Sequence, residues 1–278
     1  MAREQRKKHT LSAGWFNLAK TNYFFIIFIV CILFVGLVTG YKLFVSKPTY
    51  VYVKVKVGQG LWWANTSKPS MWLVDAINKG DTEKNLTGHP IVEVLGKQYY
   101  PWWSNNQYDT YLKLKLEVSK NKKVGTYSFK RSIIGVGAPI DLEFSSAQVS
   151  GTIIELGEKQ IEEEYVTKTV LLTKKNAFPW EFAAIQIGDK YFDGENTIFE
   201  VLEKRSTDTT NIGIDYYGNN DTSLVDPKKY IEVRAKIRVR KNKDLLIFGN
   251  EQLIIPGRSI NISTNNFTFA DYTVGVIE

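Results

Sequence analysis

The chain has 278 residues, 44% of them hydrophobic and 13% aromatic, which is enough to bury a sizeable core and too apolar for a disordered protein. Its formal net charge of +7 admits an anionic partner, but part of the excess lies in the N-terminal cluster Arg3, Arg6, Lys7 and Lys8, and most of the rest alternates along strands as a solvated face. One cysteine, Cys31, excludes an intramolecular disulfide, and two histidines, His9 and His89, leave almost no material for His-based metal or triad chemistry.

Residues 1–22 form a basic, polar tail expected to be cytoplasmic. From Tyr23 to Tyr41 no charge occurs, and a helix of about 19 to 22 residues at about 1.5 Å per residue matches the hydrocarbon thickness of a bilayer. Residues 23–45 therefore read as a transmembrane signal-anchor helix, with the lipid bilayer as partner through Tyr23–Val45. The run is too long for a cleaved signal peptide, and Thr39-Gly40-Tyr41-Lys42 offers no small-x-small cleavage site. Arg3, Arg6, Lys7, Lys8 and Lys20 precede the span and only Lys42 and Lys47 closely follow it. That bias predicts a single-pass protein of the cell membrane with its N-terminus cytoplasmic and its C-terminal part outside. Residues 46–49 make a very short linker.

After Pro48 the period is two, with no sustained helical stripe, so the extracytoplasmic region is expected to be all-β. Val51, Val53, Val55 and Val57 face one way; Tyr52, Lys54 and Lys56 face the other. The order of signals then occurs twice. Gly80-Asp81 followed by Ile91-Val92-Glu93-Val94-Leu95-Gly96-Lys97 is repeated as Gly188-Asp189 followed by Ile198-Phe199-Glu200-Val201-Leu202-Glu203-Lys204. The alternating stretch Leu112, Leu114, Leu116, Val118 returns as Ile231, Val233, Ala235, Ile237, Val239, and each copy then turns at Lys-Asn-Lys. The repeat implies two tandem copies of a small barrel- or sandwich-like β-module, at 50–157 and 158–278. The pattern is equally compatible with two separate beads and one shared barrel. The acidic run Glu162, Glu163, Glu164 reads as the solvated start of the second copy.

The copies differ in their loops, and loops on a repeated scaffold are where binding resides. The first copy carries Trp62, Trp63 and Trp72 in Gly60–Trp72, and Tyr99, Tyr100, Trp102 and Trp103 in Gln98–Tyr108. The second carries Phe178, Pro179 and Trp180, then Tyr216 and Tyr217. The candidate binding residues are Trp62, Trp63, Trp72, Trp102, Trp103, Tyr216 and Tyr217. Such aromatics stack on sugars, anchor at membrane interfaces or plug into partner proteins, and, with comparable weight, cap the ends of a β-barrel.

Catalytic signals are sparse. The repeated Gly-Asp pairs read as turns, in which glycine supplies positive φ and aspartate bonds its own turn. No serine or cysteine sits in a recognisable nucleophile motif, and no phosphate loop, dinucleotide fingerprint or convincing calcium loop occurs. The expectation is a non-enzyme with no cofactor, no metal and no nucleic-acid partner, which binds another envelope protein or a larger membrane complex. The alternative is a polysaccharide-binding or export-accessory subunit using its Trp loops on glycan.

The span, Lys47-Pro48 leading into the valine strand, Gly80-Asp81, Gly137-Ala138-Pro139-Ile140-Asp141-Leu142 and Val149-Ser150-Gly151-Thr152-Ile153-Ile154 form one layout. It resembles an uncharacterised bacterial domain-of-unknown-function family of single-span, membrane-anchored β proteins. In that family a Gly-x-Pro-Ile-x-Leu strand precedes a final Gly-x-Ile/Val-Ile strand. Gly257-Arg258-Ser259-Ile260 in the second copy lacks the proline. The resemblance implies topology and envelope location and transfers no site residues.

Overall fold

The computed structural model describes residues 23–44, 48–58, 68–102, 107–209, 213–214, 220–221 and 228–278. The basic tail at 1–22, Val45 of the expected span and residues 46–47 of the linker lie outside them. The chain divides into two compact units, Met1–Pro48 and Thr49–Glu278. In the first, α1 (Tyr23–Phe44) is a helix of 22 residues. Its side chains are described continuously only from 25 to 41, and there Phe25, Ile27, Phe28, Val30, Leu33 and Phe34 are all exposed. Among the described residues no helix is long and apolar enough to cross a membrane.

The second unit holds both modules. The first module runs β1 (Thr49–Val57), α2 (Met71–Ala76), β2 (Thr82–Lys84), β3 (Pro90–Pro101), β4 (Tyr108–Lys120), β5 (Tyr127–Phe129), β6 (Ser132–Ile134), β7 (Pro139–Glu143) and β8 (Gln148–Gly157). The second runs β9 (Tyr165–Ala177), α3 (Pro179–Ala184), β10 (Lys190–Phe192), β11 (Thr197–Thr209), β12 (Gly213–Ile214), β13 (Asn220–Asp221), β14 (Lys228–Asn242), β15 (Leu245–Phe248), β16 (Gln252–Leu253), β17 (Ser259–Ser263) and β18 (Thr268–Ile277). The main sheets are ordered β2-β3-β4-β1-β8-β7 and β10-β11-β14-β9-β18-β17, so each strand of the first has its counterpart in the second. Both are antiparallel and each curls around a core, the second core also taking in Tyr100 and Tyr111 of the first module, which makes the duplication a duplication of topology.

The alternation predicted from sequence sets those cores. Val51, Val53, Val55 and Val57 are buried against Leu112, Leu114 and Leu116, and Val170 and Leu172 against Ile231, Val233, Ala235 and Ile237. Each fully buried side chain of this kind contributes about 1.5–3 kcal/mol. The Gly-Asp pairs are turns, as their chemistry requires. Gly80 and Gly188 have φ of +92° and +87°, and Asp81 and Asp189 accept from the backbone N–H of Asn78 and Gln186 at 2.7 and 3.3 Å.

Three features depart from the sequence reading. First, six-residue helices, α2 and α3, interrupt the all-β pattern, too short to print a helical stripe. Each has its C-terminal carbonyls satisfied by a lysine from the neighbouring strand. Lys97 Nζ donates to Val74 O and Ile77 O at 2.7 and 2.6 Å, and Lys204 Nζ to Phe182 O and Ile185 O at 2.9 and 2.6 Å. Second, β3 does not stop at Lys97: Gln98–Pro101 continue it, opposite Tyr111–Tyr108 of β4. Third, the polar faces of β1 and β4 and the acidic run are not all solvated.

The third departure joins the modules. Lys54 and Glu163 side chains are 1% and 4% exposed and meet at 2.5 Å. Lys113 pairs with Glu163 and Glu195 at 3.1 Å each, and Arg240 pairs with Glu155 and Glu163 at 2.8 and 3.4 Å. Asn250 accepts from Lys54 at 2.6 Å, Tyr100 donates to Asp193 at 3.2 Å, and Tyr111 donates to Glu251 at 2.7 Å. Tyr99 N–H donates to Asp193 O at 2.8 Å, so a strand end of one module bonds a turn of the other. Gly194 makes this approach possible, having φ of +102° and lying where a Cβ would come within 2.7 Å of Lys97 O. The modules are thus neither separate beads nor one barrel: they keep two sheets and share a polar seam.

Candidate functional site

The described ends of the two aromatic loops of the first module meet. Ser70 forms a β-bridge with Gln107, Tyr108 N–H donates to Pro69 O at 2.9 Å, and Trp102 N–H donates to Gln107 O at 2.8 Å. Lys68 ties the cluster together. Its ammonium contacts both carboxylate oxygens of Asp109 at 2.8 Å and lies 2.9 Å from the centroid of the Trp102 ring. Burial lowers the pKa of Lys68, with Asp109 opposing.

Beside this cluster a cleft of about 470 Å³ opens between the ends of β1 and β8 and the start of α2. Trp72, Ser70, Gln107, Gln148 and Ser150 line it, with Val57, Leu73 and Val149 as its apolar wall. Trp72 is 73% exposed and Trp102 41%. Trp72 stands on α2 rather than in a loop. Trp62, Trp63, Trp103, Tyr216 and Tyr217 lie outside the described residues. Gly58, Lys68, Trp102 and Gln107 bound the stretches 59–67 and 103–106, which lie outside the described residues. Gly58 N–H donates to Ser150 O at 3.0 Å, which fixes Gly58 to β8.

One aromatic position was missed as a candidate. Trp180 is 62% exposed at the second position of α3, the place that Trp72 occupies on α2. The spacing Trp-x4-Ile-x2-Gly-Asp, present at Trp72–Asp81 and at Trp180–Asp189, carried that equivalence in the sequence. Phe178 stacks on Trp180 at 6.5 Å between centroids, and Lys228 lies 3.1 Å from the Phe178 centroid.

The most perturbed titratable groups are elsewhere, in the seam. Burial raises the Glu163 carboxyl, but Lys54 and Lys113 outweigh it and bring its pKa to about 2. Burial lowers the Lys54 ammonium against the pull of Glu163, and raises the Tyr165 hydroxyl to about 12. These groups are paired with one another and enclosed between modules, so the seam holds two bodies together, while the aromatic cleft faces outward. Among the described residues no cluster of three or more His, Cys, Asp or Glu is arranged to hold a metal ion.

The sequence matches no protein-family model, no curated protein and no solved structure.

Proposed function

We propose that this is a non-enzymatic, single-pass protein of a bacterial cell envelope, related to the membrane-anchored β family that its sequence resembles. Its N-terminus is cytoplasmic, α1 is the signal-anchor span, and the paired β-modules form a platform outside that holds a partner protein or larger membrane complex beside the bilayer. The observation that carries the reading is the locked seam. Two modules fixed as one body present Trp72 and Trp102 preorganised, and exposed, rigid aromatics are the residues that dominate protein interfaces. The apolar circumference of α1 supports the anchor, because a helix hydrophobic all round needs an apolar surrounding. Crosslinking in native membranes from position 72 or 102, read by mass spectrometry, should capture one recurrent envelope protein; a spread of unrelated proteins would refute the platform. Protease added to intact spheroplasts should digest everything after Ser46, and protection would refute the topology.

A second reading, an envelope polysaccharide-binding or export-accessory subunit, is favoured by one observation. The cleft beside Trp72 sets an indole against amide and hydroxyl side chains, the mixture that sugars require.

A further inference from the structure

The duplication supplies an internal control for the cleft. In the second module Trp180 has aromatic neighbours: Phe178 stacks on it and Phe267 meets it edge-on at 6.4 Å, leaving it 62% exposed against 73% for Trp72. Phe269 and Tyr272 extend the same aromatic cluster, each within 5.2 Å of its neighbour. Equivalent positions in the first module are set by shared backbone geometry. Ser70 and Phe178 are the residues that precede α2 and α3. Ala147 matches Phe267, because each carbonyl accepts from the N–H three residues earlier, Phe144 or Thr264. Val149 opposite Leu142 matches Phe269 opposite Ile262, and Gly151 opposite Ile140 matches Tyr272 opposite Ile260. Four aromatic rings are thus replaced by serine, alanine, valine and glycine. Phe144, whose counterpart is Thr264, returns one ring to the core. Among the described residues Ser70 and Val149 line the cleft beside Trp72 where the second module has Phe178 and Phe269, while Val55 and the Lys56 backbone fill the space at Gly151.

We infer that this cleft is a saccharide subsite in which the exposed face of Trp72 takes the apolar face of a pyranose ring while Ser70 and Gln148 bond its hydroxyls; the Ser150 hydroxyl is given to Asp141. The inference rests on the glycan-binding reading and names its site. A volume of about 470 Å³ lies within the range of small-molecule sites. A sugar hydroxyl both donates and accepts, and amides and hydroxyls answer both needs. Among the described residues the one cation lining the cleft, Lys68, is held by both oxygens of Asp109, so the subsite suits a neutral ring rather than an acidic one. In the second module Phe178 stands where the first has Ser70, so the subsite is assigned to the first module alone.

Isothermal titration of the full chain in nanodiscs with cellotetraose, maltotetraose and chitotetraose tests this. One of them should bind, with affinity reduced about tenfold or more in Trp72→Ala, the loss expected for an aromatic stacking contact. Ser70→Phe, which copies Phe178 at a position whose side chain makes no capping bond, should abolish binding while leaving the fold intact by circular dichroism. Trp180→Ala should bind as the parent chain does. Binding that survives both Trp72→Ala and Ser70→Phe would overturn this subsite and leave the glycan reading standing. Flat titrations for the parent chain with all three sugars would overturn both.

Discussion

Glu163 accepts contacts from Lys54, Lys113 and Arg240 at 2.5, 3.1 and 3.4 Å, and is 4% exposed. Its pKa of about 2 lies below the ordinary 4.5. A group whose folded value is depressed stabilises fully above its unfolded value and loses that contribution as pH falls through the folded one. The window is therefore from about pH 4.5 down to about pH 2, and the contribution is on the order of 2–3 kcal/mol. Urea midpoints should fall between pH 7 and pH 3 in the parent chain, and the fall should shrink in Glu163→Gln. That variant should also be less stable at pH 7 by about 3–5 kcal/mol, since Lys54 is left buried without its partner. An unchanged pH dependence would show that the pair is not the titrating element. Tyr272 presents the reverse case, a buried hydroxyl with no hydrogen-bond partner among the described residues. Removing an unsatisfied buried group relieves its desolvation, so Tyr272→Phe should leave stability unchanged or raise it by up to about 1 kcal/mol. A clear drop in melting temperature would reveal a partner.

At the scale of elements, the short helices are the clearest case of structure set by distant residues. Six residues make too few intrahelical bonds to hold alone, and Lys97 and Lys204 supply the missing donors from β3 and β11. Lys97→Met keeps the aliphatic stem and removes the donors. It should cost about 1–3 kcal/mol, and hydrogen exchange at 74–77 should speed up, together with a changed Trp72 environment. Exchange as slow as in the parent chain would mean that packing, not the lysine, holds α2. The two lysines were visible in the repeated Ile-to-Lys segments, but their task was not, because a period-two pattern assigns them only a face. The Trp72 and Trp180 equivalence was also legible, in a spacing that runs through an element too short to declare itself as a helix.

Across the whole molecule, the seam decides how the modules behave. Gly194 sits at a left-handed backbone position with a carbonyl of the other module in the way of any side chain. Gly194→Ala should cost about 2 kcal/mol or more and should act on the docking rather than on either core. Calorimetry of the parent chain should show one transition for residues 49–278, and the variant should show two. A single transition at lower temperature would place the strain inside the second module instead.

The inward faces of the core strands, the Gly-Asp turns and the duplicated order were determined by the sequence alone, because each depends on neighbours within a few residues, whereas the extension of β3 through Pro101 was not. Val51, Val53, Val55 and Val57 point together whatever lies beyond them. The other face of the same strand was not determined in this way. Lys54 is buried because Glu163 and Asn250, 109 and 196 residues further along the chain, close over it. The cleft at Trp72 has the same origin: its walls come from β1, α2, β8 and the residues just before α2 and β4. Local periodicity fixes which side chains share a face; only the folded chain fixes what covers that face.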